Sequence, residues 1–507
     1  MRRVFIVVLG LCLMGLVGLV SSSNVQSQPA PHIVIDLNHP GASVNPYIFG
    51  SNLQWNNYGD WLLVPETLAF HPDALAMLQA LAPTVLRYPG GGLADTFHWR
   101  AGLGDLDERG QVGDEVVSLG LMEFLTLCQL VGAEPLYTLN VITETPAENA
   151  ELVESLNAAL AEAGNTLPPI RYWEVGNEPY LQNDLQPELN ITPAEYAIRA
   201  NATIQAIKAV DPSILVGIPL QSDYFGNLPA TPYQGYNQIV LETMTEPFDF
   251  VAVHNAYRPL AITGPRDDEA LYLASMAAAR GVEEDLNHIR SQLAEYGYAD
   301  MPIAVTEYNT LFSIGLEPVD SYITSLASAL YVADLLHLLA AQQDILMANY
   351  WSAIGNWYFG AISFQYQPRP AYHVLQIYSE KFQGKRYPVT VTSPTFSNPE
   401  IGFVLPYEDT PILSVAAVQD GDTLRVFIIN KALEPYAVDL SALEEEEERR
   451  FASGSIMLLT DDSPFAGAVP FSESAPLAWQ TSELPTPQLP LNVELPPHSL
   501  VIVELQK

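Results

Sequence analysis

Eight short strand-like runs alternate with amphipathic helical stretches between residues 47 and 351, and this alternation constrains the fold more than any other feature. The runs are YIFGSN, TVLRYP, EPLYTLNV, RYWEVGNE, ILVGIPL, FDFVAVHN, PIAVTEYN and ILMANYW. Strands separated by helices pair in parallel, because a crossover helix returns the chain to the same edge. The helical signals are specific. Leu152, Leu156 and Leu160 recur at helical spacing, and Gly164 follows as a C-terminal stop. Thr192 and Pro193 form an N-cap and first-turn pair. Leu286, Ile289 and Leu293 share one face that ends at Gly297. Eight such units predict an α/β fold, a closed (β/α)₈ barrel spanning residues 47–372. A doubly wound open sheet is the alternative, but the glycine-rich phosphate turn expected after its first strand is absent.

Beyond residue 372 the texture changes. Prolines and threonines multiply, and short runs appear: PILSVAAVQ, TLRVFIIN, GSIMLL and HSLVIVEL. They predict an all-β sandwich over residues 373–507. The segment PHIVIDLN has the same texture, so residues 28–46 are expected to supply an N-terminal strand to that sandwich. Residues 1–27 read as a leader. Met1-Arg2-Arg3 precedes an apolar run from Val4 to Val20, and a polar stretch follows. That layout predicts a secretory signal or an uncleaved N-terminal anchor, hence a secreted or cell-surface protein. A formal net charge of −38 argues against nucleic acid and anionic lipid as partners. Cys128 is the one cysteine outside the leader; it sits in an apolar helical stretch and reads as an inert core thiol. The run Glu444 to Glu448 reads as a solvated loop rather than a metal site.

The polar residues of the barrel runs fall at their C-terminal ends, the face that carries the chemistry in such barrels. Strand two ends in Arg87 and strand three in Asn140. Strand four ends in Asn177 and Glu178. Strand six ends in His254, with Tyr257 just beyond. Strand seven ends in Glu307, and strand eight in Trp351. A single polar strand end is explained by turn chemistry, but six coinciding ends are not. Glu178 and Glu307 lie on strands that face each other across a barrel. Two facing carboxyl groups suit glycosidic bond cleavage, one protonating the leaving oxygen and the other attacking the anomeric carbon. Arg87 is placed to keep a neighbouring carboxylate ionised, and Tyr257 or Tyr308 to donate to it. Asn177 is a neutral donor for a sugar hydroxyl, and Trp351 an apolar face for a sugar ring. Glu174 shares the strand parity of Glu178, one layer deeper, and reads as a structural carboxylate.

The motifs WEVGNEP and VTEYN resemble the acid/base and nucleophile signatures of the retaining clan-A glycoside hydrolases. Two further segments, VLRYPGGGLADTFHWRAGLG (85–104) and LYTLNVITETPAENAELVESLN (136–157), resemble strands two and three of the α-L-arabinofuranosidases of family 51. The tail LPPHSLVIVEL resembles the end of their β-sandwich. The resemblance implies that Glu178 is the general acid/base and Glu307 the nucleophile. It makes Arg87, Asn140, Asn177, His254 and Trp351 supporting residues. Two positions depart from the pattern. Gly92 stands where the family has an Asn, and Gln54 where it has a Glu, and both family residues contact the terminal sugar. The His and Tyr of strand six are also spaced unusually widely, by Asn255-Ala256.

The expected activity is therefore that of a retaining glycosidase on an oligo- or polysaccharide, an α-L-arabinofuranosidase first. A β-xylosidase, β-glucuronidase or endoglucanase is the alternative, and a non-catalytic carbohydrate-binding barrel a further one. A metal-dependent hydrolase fits least. His254 is the single strand-end histidine, and the chain has neither His-x-His nor His-Glu-x-x-His. No cofactor and no metal are expected.

Overall fold

The computed structural model describes residues 31–507 except 66, 184–185, 223–234, 259–266, 311–319, 357, 402–403, 444–448 and 468–476. The leader and the run Glu444 to Glu448 lie outside the described residues. Eight parallel strands close into a barrel: Gly50–Asn52, Val85–Tyr88, Glu134–Leu139, Tyr172–Val175, Leu215–Pro219, Phe250–Val253, Ile303–Asn309 and Ile345–Tyr350. Strand eight pairs with strand one, Asn349 opposite Gly50, which closes the ring. Gly50 belongs at that seam, because a Cβ there would lie 2.8 Å from the Ala348 carbonyl and nearer still to the Asn349 side chain. The first strand is shorter than the run YIFGSN suggests. Asn45 accepts from the Tyr47 N–H and Pro46 sits in the first turn, so Pro46–Phe49 winds into a 3₁₀ turn.

Helix ends follow the local chemistry. Thr145 and Glu148 form a capping box at the start of Pro146–Glu162, and Thr192 and Glu195 another at Pro193–Val210.

The barrel interior is layered, and the pleat explains how. Val85, Leu136, Tyr172, Phe250, Ala304 and Met347 plug its N-terminal end. Two residues further along five of these strands, on the same face, stand Arg87, Thr138, Glu174, Thr306 and Asn349, all fully buried. An apolar floor thus carries a polar layer, and the chemistry is built on that layer.

Beyond the barrel two sheets face each other. The four-stranded sheet runs Val389–Thr392, His32–Asp36, Tyr436–Leu443, Leu491–Leu495. The six-stranded sheet is antiparallel and runs Lys385–Tyr387, Leu413–Asp420, Thr423–Asn430, Ser499–Gln506, Ser453–Leu459, Gln480–Leu484. Val426 and Ile428 point into the core between the sheets, with Ile33, Ile35, Val438 and Leu440. Phe427 and Ile429 point the other way, into the barrel's core cluster. Such a strand, covered on both faces, shows no alternation, which is why TLRVFIIN reads as nearly continuous apolar sequence.

Candidate active site

Arg87 is the centre of the polar layer. Its Nε donates to Glu174 Oε2, its Nη1 to Glu307 Oε1 at 2.8 Å and Asn52 Oδ1 at 3.1 Å, and its Nη2 to Asn177 Oδ1 at 2.8 Å. Burial works against the guanidinium charge, but the Glu174 and Glu307 carboxylates outweigh it and hold the Arg87 pKa above its ordinary value. Glu174 takes two further hydrogen bonds, from Thr138 Oγ1 at 3.0 Å and Thr306 Oγ1 at 2.9 Å. This fully buried carboxylate is therefore satisfied within the protein.

Local backbone geometry raises the two upper carboxyl groups out of this layer. Strand four ends at Gly176, with φ at +95°, and Glu178 itself has φ at +41°. Strand seven loses regular register with strand eight between Val305 and Tyr308. The irregularity lets adjacent residues Thr306 and Glu307 both reach interior partners, against the alternation of a regular strand. Tyr257, not Tyr308, donates to Glu307, its Oη lying 2.7 Å from Oε2. The Tyr308 ring packs edge-on against Tyr350 instead.

His254 joins the two carboxyl groups. Its Nδ1 lies 2.8 Å from Glu178 Oε1 and 3.8 Å from Glu307 Oε2, and its Nε2 lies 3.0 Å from Thr306 Oγ1. The hydrogen-bond chain assigns the protons. Glu174 accepts, so Thr306 gives it the hydroxyl proton and must accept from His254 Nε2–H. One proton then lies between His254 Nδ1 and Glu178. Burial alone would lower the His254 pKa, but the carboxylates of Glu307 and Glu178 outweigh it and raise it above 6.5. The Glu178 side chain is 16% exposed against 5% for Glu307, so of the two upper carboxyl groups the one hydrogen-bonded to His254 is the more open to the outside.

The other sequence-derived positions divide. Asn177 gives its Oδ1 to Arg87, which turns its Nδ2 away from the guanidinium. Trp351 is nearly buried, its indole lying over Gly90 and Gly91; a Cβ on Gly91 would sit 2.5 Å from the ring. That contact, with φ near +60° at both glycines, is why the chain carries glycine there. Asn140 differs from expectation. Its Nδ2 donates to Phe97 O and Thr143 Oγ1, and its Oδ1 accepts from the backbone of Ile142 and Thr143. Its side chain is spent on tying down the loop after strand three, leaving nothing for a ligand. Gln54 is half-buried just past strand one and has no hydrogen bond to either upper carboxyl group among the described residues. Sequence reasoning missed Thr138 and Thr306. The position before Glu307 was the available signal for Thr306. Asp95 lines the cavity beside Glu178, and burial, then the Glu178 charge, push its pKa well above the ordinary carboxylate range.

Comparison with known proteins adds a family context. Residues 77–168 match the family model described as the alpha-L-arabinofuranosidase 1 domain. Alpha-L-arabinofuranosidase C of Emericella nidulans is 31% identical over 214 residues, which cover 38% of this chain and 42% of that protein. The chain thus spans less than half the length of the curated relative it matches. Among solved structures, the thermostable GH51 alpha-L-arabinofuranosidase from Thermotoga petrophila RKU-1 aligns with a TM-score of 0.76 at 20% identity, covering 94% of this chain and 100% of that one. The GH51 arabinofuranosidase from Xanthomonas axonopodis pv. citri aligns with a TM-score of 0.72 at 21% identity, with the same coverage. The resemblance to the clan-A arabinofuranosidases stands, in sequence over segments 85–104 and 136–157 and in fold over nearly the whole chain.

Proposed function

We propose that the protein is a retaining glycoside hydrolase in which Glu307 attacks the anomeric carbon and Glu178 delivers and recovers the proton, with an α-L-arabinofuranoside as substrate. The observation that carries this reading is His254 Nδ1 standing between the two carboxyl groups. Glu178 Oε1 and Glu307 Oε2 are no farther apart than the sum of 2.8 and 3.8 Å. For this one pair of oxygens the limit admits the ~5–5.5 Å of a retaining pair. Each group is equipped for its role. Glu307 accepts from a guanidinium and a phenol and meets the sugar as an acceptor-only carboxylate. Glu178 shares a proton with His254 and is reachable from outside. Asn177 Nδ2 is left to grip a sugar hydroxyl.

The sugar rests on family likeness, and Gly92 and Gln54 favour a second reading, a clan-A glycosidase of different specificity. A panel of aryl glycosides, with the first-formed anomer followed by NMR, tests both parts. Retention with arabinofuranoside turned over fastest is expected. An inverted first product overturns the mechanism, and faster xylopyranoside, glucopyranoside or glucuronide turnover overturns the sugar. Glu307→Gly should abolish turnover. Glu178→Ala should cost roughly 10²–10⁴-fold on poor leaving groups and much less on activated aryl ones. We further propose export, on the pattern from Met1 to Val20; N-terminal sequencing of extracellular protein tests it.

A further inference from the structure

The turn after strand four folds a phenol back onto Glu178. Leu181 N–H donates to Glu178 O at 2.9 Å, which closes a turn through Pro179 and Tyr180. Pro179 presets the φ that the second position of such a turn needs. Tyr180 is only 1% exposed, and its Oη donates to Glu178 Oε1 at 3.3 Å. His254 Nδ1 approaches the same oxygen to 2.8 Å. Oε1 is thus gripped from two sides, by its own turn and by strand six. The Tyr180 ring is braced in turn. Tyr236, the first residue of the helix Tyr236–Thr243, meets it edge-on, the ring centroids 5.5 Å apart and the planes at 80°. Tyr196 backs Tyr236 at 6.2 Å, and its own Oη donates to Val175 O at the end of strand four, 2.8 Å away. A hydroxyl on a ring fixed in this way holds its partner precisely, because packing has already locked the rotamer.

Burial, then the charges of Glu178 and Glu307, push the Tyr180 pKa well above its ordinary value, so the phenol keeps its proton and stays a donor. A donor of fixed protonation favours the ionised form of the carboxyl it faces. The other groups around Glu178 differ in sign. His254 reaches it from strand six, and Asp95 faces it from the loop after strand two. Glu307 and Tyr257 stand beyond His254, and the Arg87 charge acts on both His254 and Asp95 from below. The neighbouring carboxyl groups work to keep Glu178 protonated, and Tyr180 works against them. The two halves of a double displacement need opposite states of Glu178. In the second half the oxygen of water bonds to the anomeric carbon, the bond from that carbon to Glu307 breaks, and the proton of water passes to Glu178. Glu178 must be ionised to take it.

We propose that Tyr180 is a positioning residue for the second half of the reaction: its hydroxyl fixes Glu178 Oε1 in place and favours the carboxylate that takes the proton from water. The inference rests on the acid/base reading of Glu178 and deepens it, because it assigns the half-reaction that Tyr180 serves. Tyr180 and His254 thereby divide the work on one oxygen, the phenol supporting the base and the imidazole retaining the proton of the acid.

The test is Tyr180→Phe, which removes the hydroxyl and keeps the ring against Tyr236. With a dinitrophenyl glycoside of the sugar turned over fastest, the first half needs no acid, so kcat reports the second half and kcat/KM the first. In the variant kcat on this substrate should fall by about tenfold, the scale of one hydrogen bond to a charged group, and kcat/KM far less. The burst of released dinitrophenol counts the active sites, so misfolded protein enters neither number. On an unactivated glycoside the alkaline limb of kcat/KM should move up by about one pH unit, because the carboxyl has lost a donor to its charged form. The shift is opposite in sign to the one expected of His254→Gln. Equal losses in kcat and kcat/KM, or a limb that stays in place or moves down, overturn the role of Tyr180 and leave Glu178 as the acid/base. A Glu178→Ala enzyme that matches wild type in kcat on the dinitrophenyl glycoside removes the acid/base reading, and the inference with it.

Discussion

At the scale of single residues, Arg87 controls both the interior and the site. It is the cation shared by Glu174 and Glu307, and it orients Asn52 and Asn177. Arg87→Met would leave Glu174 as a buried carboxylate without its counter-charge. Breaking a buried pair in this way costs about 3–5 kcal/mol, and chemical denaturation should report a loss of that size. His254 sets a second expectation. Its raised pKa means that the proton shared with Glu178 is kept as pH climbs through 6.5 and is lost only above it. The alkaline limb of the kcat/KM profile should therefore lie above pH 6.5. His254→Gln should move that limb downward, because the imidazole that helped retain the proton is gone. A limb that stays in place in the variant would remove His254 from the proton's path.

At the scale of elements, the loop after strand one stores strain. Asn57, Tyr58, Gly59, Asp60 and Trp61 all have positive φ, from 49° to 70°, a left-handed turn at the barrel's C-terminal face. Each non-glycine residue held this way costs roughly 1–2 kcal/mol, so the surroundings must impose it. Glu115 accepts from the Asn57 N–H at 3.0 Å, and Leu119 packs where a Cβ on Gly59 would fall. Asp60 is buried within the turn, and burial raises its pKa from 3.8 to about 7. A carboxyl with a raised folded pKa favours the protonated fold. Its contribution is intact below pH 3.8 and is lost as pH rises through about 7. Asp60→Asn keeps the shape and removes the charge. It should stabilise the protein at pH 8 by on the order of 1–3 kcal/mol and change little at pH 4, measurable as shifts in the denaturation midpoint.

At the scale of the whole molecule, barrel and sandwich share one core. Phe427 packs with Tyr378 and Phe382 of the last barrel helix. Lys431 at the end of a sandwich strand pairs with Asp334 in the helix Leu326–Ala341. His337, one turn along that helix, is held between Ser414 and Tyr378. The strand His32–Asp36 precedes the barrel in sequence yet lies inside the four-stranded sheet. The barrel is thus clamped at both its ends to the sandwich. Unfolding should be a single cooperative transition, and Lys431→Met, which strands Asp334, should lower the stability of both parts together by about 3–5 kcal/mol. Calorimetry that resolved two transitions, only one of them shifted, would show the parts to be independent.

The sequence alone determined the class of fold and the positions at which polar groups reach the barrel mouth. Both follow from short-range regularities: the alternation of strand and helix, and the parity along each strand. Arg87, Asn177, Glu178, His254, Tyr257 and Glu307 could be picked out because they end strands. Their mutual bonding could not, because it joins residues up to 220 positions apart. The tertiary structure alone decided that Asn140 serves its own loop, that Tyr257 rather than Tyr308 serves Glu307, and that Thr306 sets the proton on His254. The Asn140 outcome turns on hydrogen bonds within the loop after strand three, and the other two on a local departure from regular geometry, the register shift in strand seven. Such departures are selected by the packing of distant segments and leave no periodic trace in the chain.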